Sequence, residues 1–256
     1  MTDMDLPHVL TREIVIRAPR ETVFRYFTDP TRWAAWWGNG STIDATPGGA
    51  VLIRYPGGVE VAGEVLELEP PDRIVFTYGF VSGQPIPAGS SRVEIRLEPE
   101  GRATRLRLTH AFAEPTVRDQ HVQGWRYQLS VFGNVVADEL HSGAESLVDA
   151  WFAAWRETND AARAVILAGA VTPDVRFRDR YSVIDGVAEL VPHIGAAQRF
   201  MPGVHPERQG AIRHCQGTVL ADWTAPGAAG QPGRSGTNVF AFDENGRIES
   251  VVGLWA

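Results

Sequence analysis

Apolar positions along the chain follow two periods, and the order in which they occur divides it into halves. From Val9 to Ala18 the residues alternate, with Leu10, Ile14 and Ile16 on one face, as a half-buried strand requires. Pro19 stands where a first-turn proline is tolerated, and Glu21 to Phe27 reads as a short helix. Asp29-Pro30 ends it, and Thr31 to Trp37 makes a second one. Strands follow, separated by Gly48-Gly49, Gly57-Gly58, Pro70-Pro71 and Pro99-Glu100-Gly101. Ile74, Phe76, Tyr78 and Phe80 share one face. Val93, Ile95 and Leu97 do the same, as do Leu106, Leu108 and His110, with charged residues between them. This alternation predicts a curved antiparallel sheet with one wet side. Pro115 opens a long helix to about Leu140, its inner stripe running through Val117, His121, Trp125, Leu129, Phe132 and Val136. A long helix closing over a curved sheet predicts a cavity between them.

A boundary is expected at His141-Ser142-Gly143, dividing residues 1–141 from 142–256. Ser142-Gly-Ala-Glu145 has the form of a capping box, so a new helix is expected there, carrying Leu147, Trp151 and Trp155 on one side. Asp160 is the expected cap of a second helix, and Val175 to Asp179 reads as a strand. Asp185 to Glu189 opens a third helix that Pro192 should kink. Strands then occupy about 208–224, 237–242 and 247–255, with Asn245-Gly246 as the last hairpin turn. The glycine-rich stretch Gly227 to Gly236 reads as a long hairpin loop able to act as a lid over a pocket. Helices come first here, whereas the first half ends in its main helix. The expectation is an α+β chain of two different domains, not a repeat.

Composition narrows the function. With 44% hydrophobic and 21% charged residues, the chain has the make-up of a soluble globular protein. A net charge of -7 argues against a nucleic-acid partner, which needs a clustered positive surface. No apolar run approaches the roughly 20 residues of a membrane span. The acidic start, Met1 to Asp5, lacks the order of a signal peptide, so a cytoplasmic location is the default. The single cysteine, Cys215, excludes an internal disulfide and a multi-thiolate metal site. All 24 basic residues are arginine, which excludes a Schiff-base lysine and a phosphate-loop lysine. The seven histidines show no metal-binding spacing, so neither a metal nor a cofactor is expected.

Ile16-Arg-Ala-Pro-Arg-Glu-Thr-Val-Phe24, Asp29-Pro-Thr-Arg-Trp33 through Trp36-Trp37, Gly63 to Pro70, Thr104 to His110 and Gly124-Trp125 together resemble the SRPBCC (START-like) superfamily. The likeness spans about residues 9–141 and is to the branch similar to heat-shock ATPase activators. It implies a helix-grip fold around a hydrophobic cavity. Leu147 to Trp155, Val175 to Asp179, Asp185-Gly186, Met201-Pro-Gly203 and Phe242 to Ile248 are similar to SnoaL-like members of the nuclear transport factor 2-like superfamily. That likeness implies a cone-shaped α+β barrel with a deep pocket and self-association through its sheet. The superfamily holds steroid isomerases, polyketide cyclases, dehydratases and plain binding modules, so the fold alone does not choose a function.

Asp179 shares strand parity with Val175, Phe177 and Tyr181, while Arg176, Arg178 and Arg180 take the other face. A carboxylate on an apolar face belongs in a pocket, where lost solvation suits it to act as a base. The competing reading has it bind a neighbouring backbone N–H or an arginine at the strand end. Asn238 is a polar group on a face with Phe240 and Phe242. The likeness to steroid isomerases implies a base at Asp179, an oxyanion-stabilising group at Asn238 and a hydrogen-bonding side chain at Trp151, where those enzymes have tyrosine. His214, Asp222 and Trp223 lie on a strand with two mixed faces, so parity does not place them. In the first half Tyr78, His110, His121 and Trp125 are polar groups on inward faces, able to hold a ligand's polar end or to satisfy one another in the core. Three readings stand. In one, the second domain performs acid–base chemistry on a carbonyl-bearing hydrophobic compound through Asp179, Asn238 and His214, with Trp151, Tyr181 and Trp223 lining the pocket. In another, both domains carry a lipid-like ligand without chemistry. In the third, the chain is a chaperone partner.

Overall fold

The computed structural model describes residues 5–203, 205–227 and 232–256. The first four residues of the acidic start and positions 228–231 of the expected lid lie outside the described residues. The chain forms two compact units, Met1–Val136 and Ala137–Ala256. Among the described residues no helix is long and apolar enough to cross a membrane.

In the first unit the strands are β1 (His8–Ile16), β2 (Thr42–Ile43), β3 (Ala50–Arg54), β4 (Glu60–Glu69), β5 (Arg73–Tyr78), β6 (Ser91–Glu100) and β7 (Ala103–Phe112). They form one antiparallel sheet in the order β1-β7-β6-β5-β4-β3-β2. Its register lays Leu10, His110, Val93, Phe76 and Val65 side by side in one buried row, the face that the alternation predicts. Helices α1 (Arg20–Arg25) and α2 (Pro30–Trp37) follow β1. Asp29 starts α2 by accepting the N–H groups of Thr31 (2.8 Å) and Arg32 (3.0 Å), with Pro30 in the first turn. Helix α3 (Pro115–Leu140) has the extent the sequence predicts, and buries Trp125, Leu129, Phe132 and Val136.

The expected hollow beneath α3 is largely filled. Trp36 packs against Trp37 (4.1 Å between centroids) and Phe132 (4.8 Å), Phe27 stacks on Phe132 (5.1 Å), and Trp33 meets Phe76 edge-on (5.7 Å). Three indoles from one two-turn helix occupy the space that a ligand would need. A recess of about 290 Å³ remains beside Tyr55 and Tyr78.

In the second unit α4 (Ala144–Arg156) and α5 (Asp160–Ala170) precede β8 (Val171–Arg178) and β9 (Val183–Asp185); α6 (Val187–Phe200) leads into β10 (Glu207–Cys215), β11 (Thr218–Ala225), β12 (Arg234–Phe242) and β13 (Ile248–Trp255). The sheet order is β10-β11-β12-β13-β8-β9, antiparallel except where β13 meets β8. The chain is therefore α+β, with two domains of different topology.

Several local expectations are corrected. The capping box does not form: Gly143 is the N-cap of α4, no side chain caps the helix, and Glu145 reaches Arg208 (3.1 Å) instead. Asn159, not Asp160, caps α5 by accepting the Ala162 N–H, which leaves Asp160 for Arg163. Asp185 belongs to β9, and α6 begins after Gly186 at φ 81°, a left-handed conformation natural to glycine. Pro192 lies inside α6 without ending it. The stretch at 208–224 is a tight hairpin whose turn, Gln216-Gly217, has φ of 47° and 82°. Strand β12 starts at Arg234, so the end of the expected loop is strand.

Arg163 ties the helices together. Fully buried, it donates to the carbonyls of Ala154 (3.3 Å) and Val191 (3.1 Å), to Gln198 Oε1 (2.7 Å) and to Glu157 O, and pairs with Asp160. Replacing it with methionine strands these acceptors in the interior. Arg163→Met is expected to destabilise the second domain by about 3 kcal/mol or more, measured as a lower urea midpoint.

Candidate functional site

The second unit encloses a cavity of about 500 Å³. Its sheet side carries Phe177, Trp223, Asn238, Gly253 and Trp255; its helical side carries Trp155 from α4 and His193, Ala196, Ala197 and Phe200 from α6. Two alanines on that wall leave room that larger side chains would take.

Asp179 follows β8 and borders this cavity, half-buried. Its Oδ1 accepts the Tyr181 N–H (2.8 Å), its Oδ2 accepts the Trp255 indole N–H (3.2 Å), and its own N–H donates to Ser182 O (2.9 Å). It thus binds a neighbouring backbone N–H and also borders the cavity. Arg176, Arg178 and Arg180 are exposed.

Asn238 also lines the cavity, 7% exposed, and its side-chain amide has no hydrogen-bond partner among the described residues. In the β12–β13 register Asn238 lies beside Gly253. A Cβ built on that glycine would sit 3.2 Å from Asp179 Cβ and 3.5 Å from Asn238 Oδ1. Asp179 and Asn238 therefore flank Gly253, and any side chain there would crowd them.

Of the remaining candidates, Tyr181 and Trp223 border the cavity, each meeting Trp255 edge-on at 5.4 and 5.1 Å. Trp151 does not. It is fully buried against Phe177 and Phe240, and Trp155, one turn later, takes the lining position. His214 is also elsewhere: its Nδ1 meets Asp138 (2.7 Å), its Nε2 accepts the Gly217 N–H (3.0 Å) and His141 lies 3.2 Å away. It braces the Gln216-Gly217 turn. Asp222 is bound by Arg213 and Thr237.

His193 is the lining residue that sequence reasoning missed. It lies near Trp155 and Phe177, and burial pulls its pKa below the ordinary histidine value, against the opposing charge of Asp179. Its stripe, 193, 196, 197 and 200, runs directly beside the core residues Leu190 and Ile194, so spacing alone does not set it apart.

Of the four candidates in the first unit, Tyr78 and His121 border the recess. His110 and Trp125 are buried behind it in a directed chain: Trp125 Nε1–H donates to His110 Nδ1 (2.9 Å), His110 Nε2 meets Ser91 Oγ (2.8 Å), and Ser91 donates to Tyr78 O (2.8 Å). An indole only donates, so Nδ1 must accept and the imidazole carries its proton on Nε2. Burial holds His110 well below its ordinary pKa, and nearby His121 adds to this. Burial also raises Tyr78 well above the usual phenol value and its hydroxyl neighbour Tyr55, at 3.2 Å, to about 12. Among the described residues no group of three or more His, Cys, Asp or Glu is placed to hold a metal ion.

Residues 17–137 match the family described as Activator of Hsp90 ATPase homolog 1-like protein, which bears out the resemblance of the first half. A comparison with curated proteins found no match. Among solved structures the chain is similar to a SnoaL-like family protein from Agrobacterium tumefaciens whose description proposes an isomerase (23% identity, 46% of this chain and 98% of that one, TM-score 0.41). It is also similar to CalU16 from Micromonospora echinospora (28%, 52% and 78%, 0.42) and to protein CV1439 from Chromobacterium violaceum (27%, 50% and 96%, 0.41).

The lowered His110 pKa has a consequence for stability. Below about pH 6.5 the unfolded chain takes up a proton that folded His110 refuses, so stability is full above that pH and falls as pH drops toward the folded value. Urea titrations read on the Leu106 and Leu108 methyl signals at pH 8 and pH 5 are expected to show this loss. The slope should be at most about 1.4 kcal/mol per pH unit for this histidine, and shallower in His110→Asn.

Proposed function

We propose that the second domain binds a small, mostly apolar, carbonyl-bearing molecule and performs acid–base chemistry on it. One observation carries the reading: Asp179 and Asn238 line the same largely apolar cavity, on either side of Gly253. Asp179 removes a proton from the carbon next to the carbonyl, and the C–H electron pair moves onto the carbonyl oxygen as an enolate. The Asn238 N–H stabilises that oxygen. The proton then returns to the same or a conjugated carbon, from Asp179 or through neutral His193. The Tyr181 and Trp255 N–H groups hold the base in one orientation. The first domain, with its interior mostly filled, contributes no chemistry and offers its shallow recess to the same compound or a precursor.

A second reading, carriage without chemistry, has one observation in its favour. Both Asp179 oxygens already accept an N–H, which satisfies the carboxylate as a structural group. The chaperone reading rests on the family description alone.

Mass spectrometry of the small molecule that copurifies with the intact chain identifies the compound, and deuterium uptake from D₂O reads proton removal directly. The wild type is expected to exchange the position next to the carbonyl, and Asp179→Asn to slow that exchange about 10²–10⁴-fold while still binding the compound. Equal exchange by both proteins would overturn the role of Asp179; binding without exchange in either would establish the carrier. Gly253→Ala, which presses a methyl against Asp179 Cβ and Asn238 Oδ1, is expected to slow exchange about tenfold with the fold retained by circular dichroism.

A further inference from the structure

Resting on the reading of this cavity as a ligand site, we infer that its occupant is an amphipathic anion, a ring-bearing body ending in a carboxylate or similar oxyanion, and that Arg234 selects for that end. Strand residues two apart share a face, so Arg234, Gly236, Asn238, Phe240 and Phe242 all point inward from β12. Asn238 is buried, whereas Arg234 is exposed and borders the same cavity. Four strand residues separate their Cα atoms by roughly 13 Å, the span of a two- or three-ring molecule with polar ends.

On their shared face only Gly236 lies between them. A Cβ on Gly236 would meet the Trp223 ring at 2.7 Å, so that indole lies directly over the middle of the strand. From the buried end outward, β12 presents an amide, a glycine under an indole and a guanidinium. These suit a carbonyl, a ring and an anion in that order.

Arg234 is also free to act. It makes no ion pair among the described residues; its guanidinium stands 5.8 Å from the Trp255 ring centroid, and Nη1 donates only to the weak acceptor Met201 Sδ (3.3 Å). Arginines on β10, two strands away, differ: Arg208 is held by Asp149 and Glu145, and Arg213 by Asp222. Stacking on Trp255 orients the guanidinium plane and leaves other N–H groups for an oxyanion. Asp179, bonded to the same Trp255, repels an anion from its own end of the cavity and favours the orientation in which the anion meets Arg234.

Two dyes sharing one aromatic skeleton test this on the full chain. The probes are 8-anilinonaphthalene-1-sulfonate, which is anionic, and N-phenyl-1-naphthylamine, which is neutral. Ala197→Trp, which fills the cavity from α6, identifies the fluorescence that arises there. The wild type is expected to prefer the sulfonate about three- to tenfold. Arg234→Gln should remove that preference and leave the neutral dye unchanged. If both dyes bind in the cavity and Arg234→Gln leaves the sulfonate's affinity intact, the anion inference fails while the ligand site stands. If neither dye shows binding that Ala197→Trp abolishes, the ligand site and this inference fall together.

Discussion

A guanidinium with no surface in water holds the second domain open. Burying an isolated cation is prohibitive, and it becomes tolerable only when the charge is paired and the donors are satisfied. Arg163 meets both conditions by drawing three helices onto itself: the end of α4 through Ala154 and Glu157, its own α5 through Asp160, and α6 through Val191 and Gln198. Gln198 completes the tie by donating to Trp155 O (2.8 Å). The same short segments of α4 and α6 supply Trp155, His193, Ala196 and Ala197 to the cavity. Because polar bonds fix the helical wall, the space beneath it need not be packed with side chains to keep the wall in place.

The first domain solves the opposite problem. Its long helix is held by rings that occupy the interior, and four of the polar groups left inside bond to one another. Trp125, His110, Ser91 and the Tyr78 carbonyl form one directed sequence of donors and acceptors, with little exposed to a ligand. In the second domain, by contrast, Asn238 lines a cavity.

Much of the architecture was readable in advance because it depends on local periods. The parity of Phe76, Val93 and His110 named the inner face of the first sheet, and the stripe through Trp125 and Phe132 gave the extent of α3. Asp179 and Asn238 were recognisable as polar residues among apolar neighbours on their own strands. Helix starts were read less well, because capping is a competition among nearby groups. Glu145 had the spacing of a capping box and was taken by Arg208; Asn159 capped α5 in place of the adjacent Asp160. Gln216 carries no sign of the left-handed turn it adopts.

Sequence periodicity alone established two α+β domains, the faces of their strands and the outward position of most arginines, because each follows from burying one side of a repeating backbone. It could not decide between Trp151 and Trp155, four residues apart on one helix, or separate His193 from the core stripe beside it. Nor could it show that Asp179 and Asn238 flank Gly253 at one cavity, or that His214 lies away from them. Those outcomes depend on how β12 pairs with β13, how β13 pairs with β8, and how far α6 is drawn in by Arg163. They belong to register and long-range contact, which bring together residues that no local pattern connects.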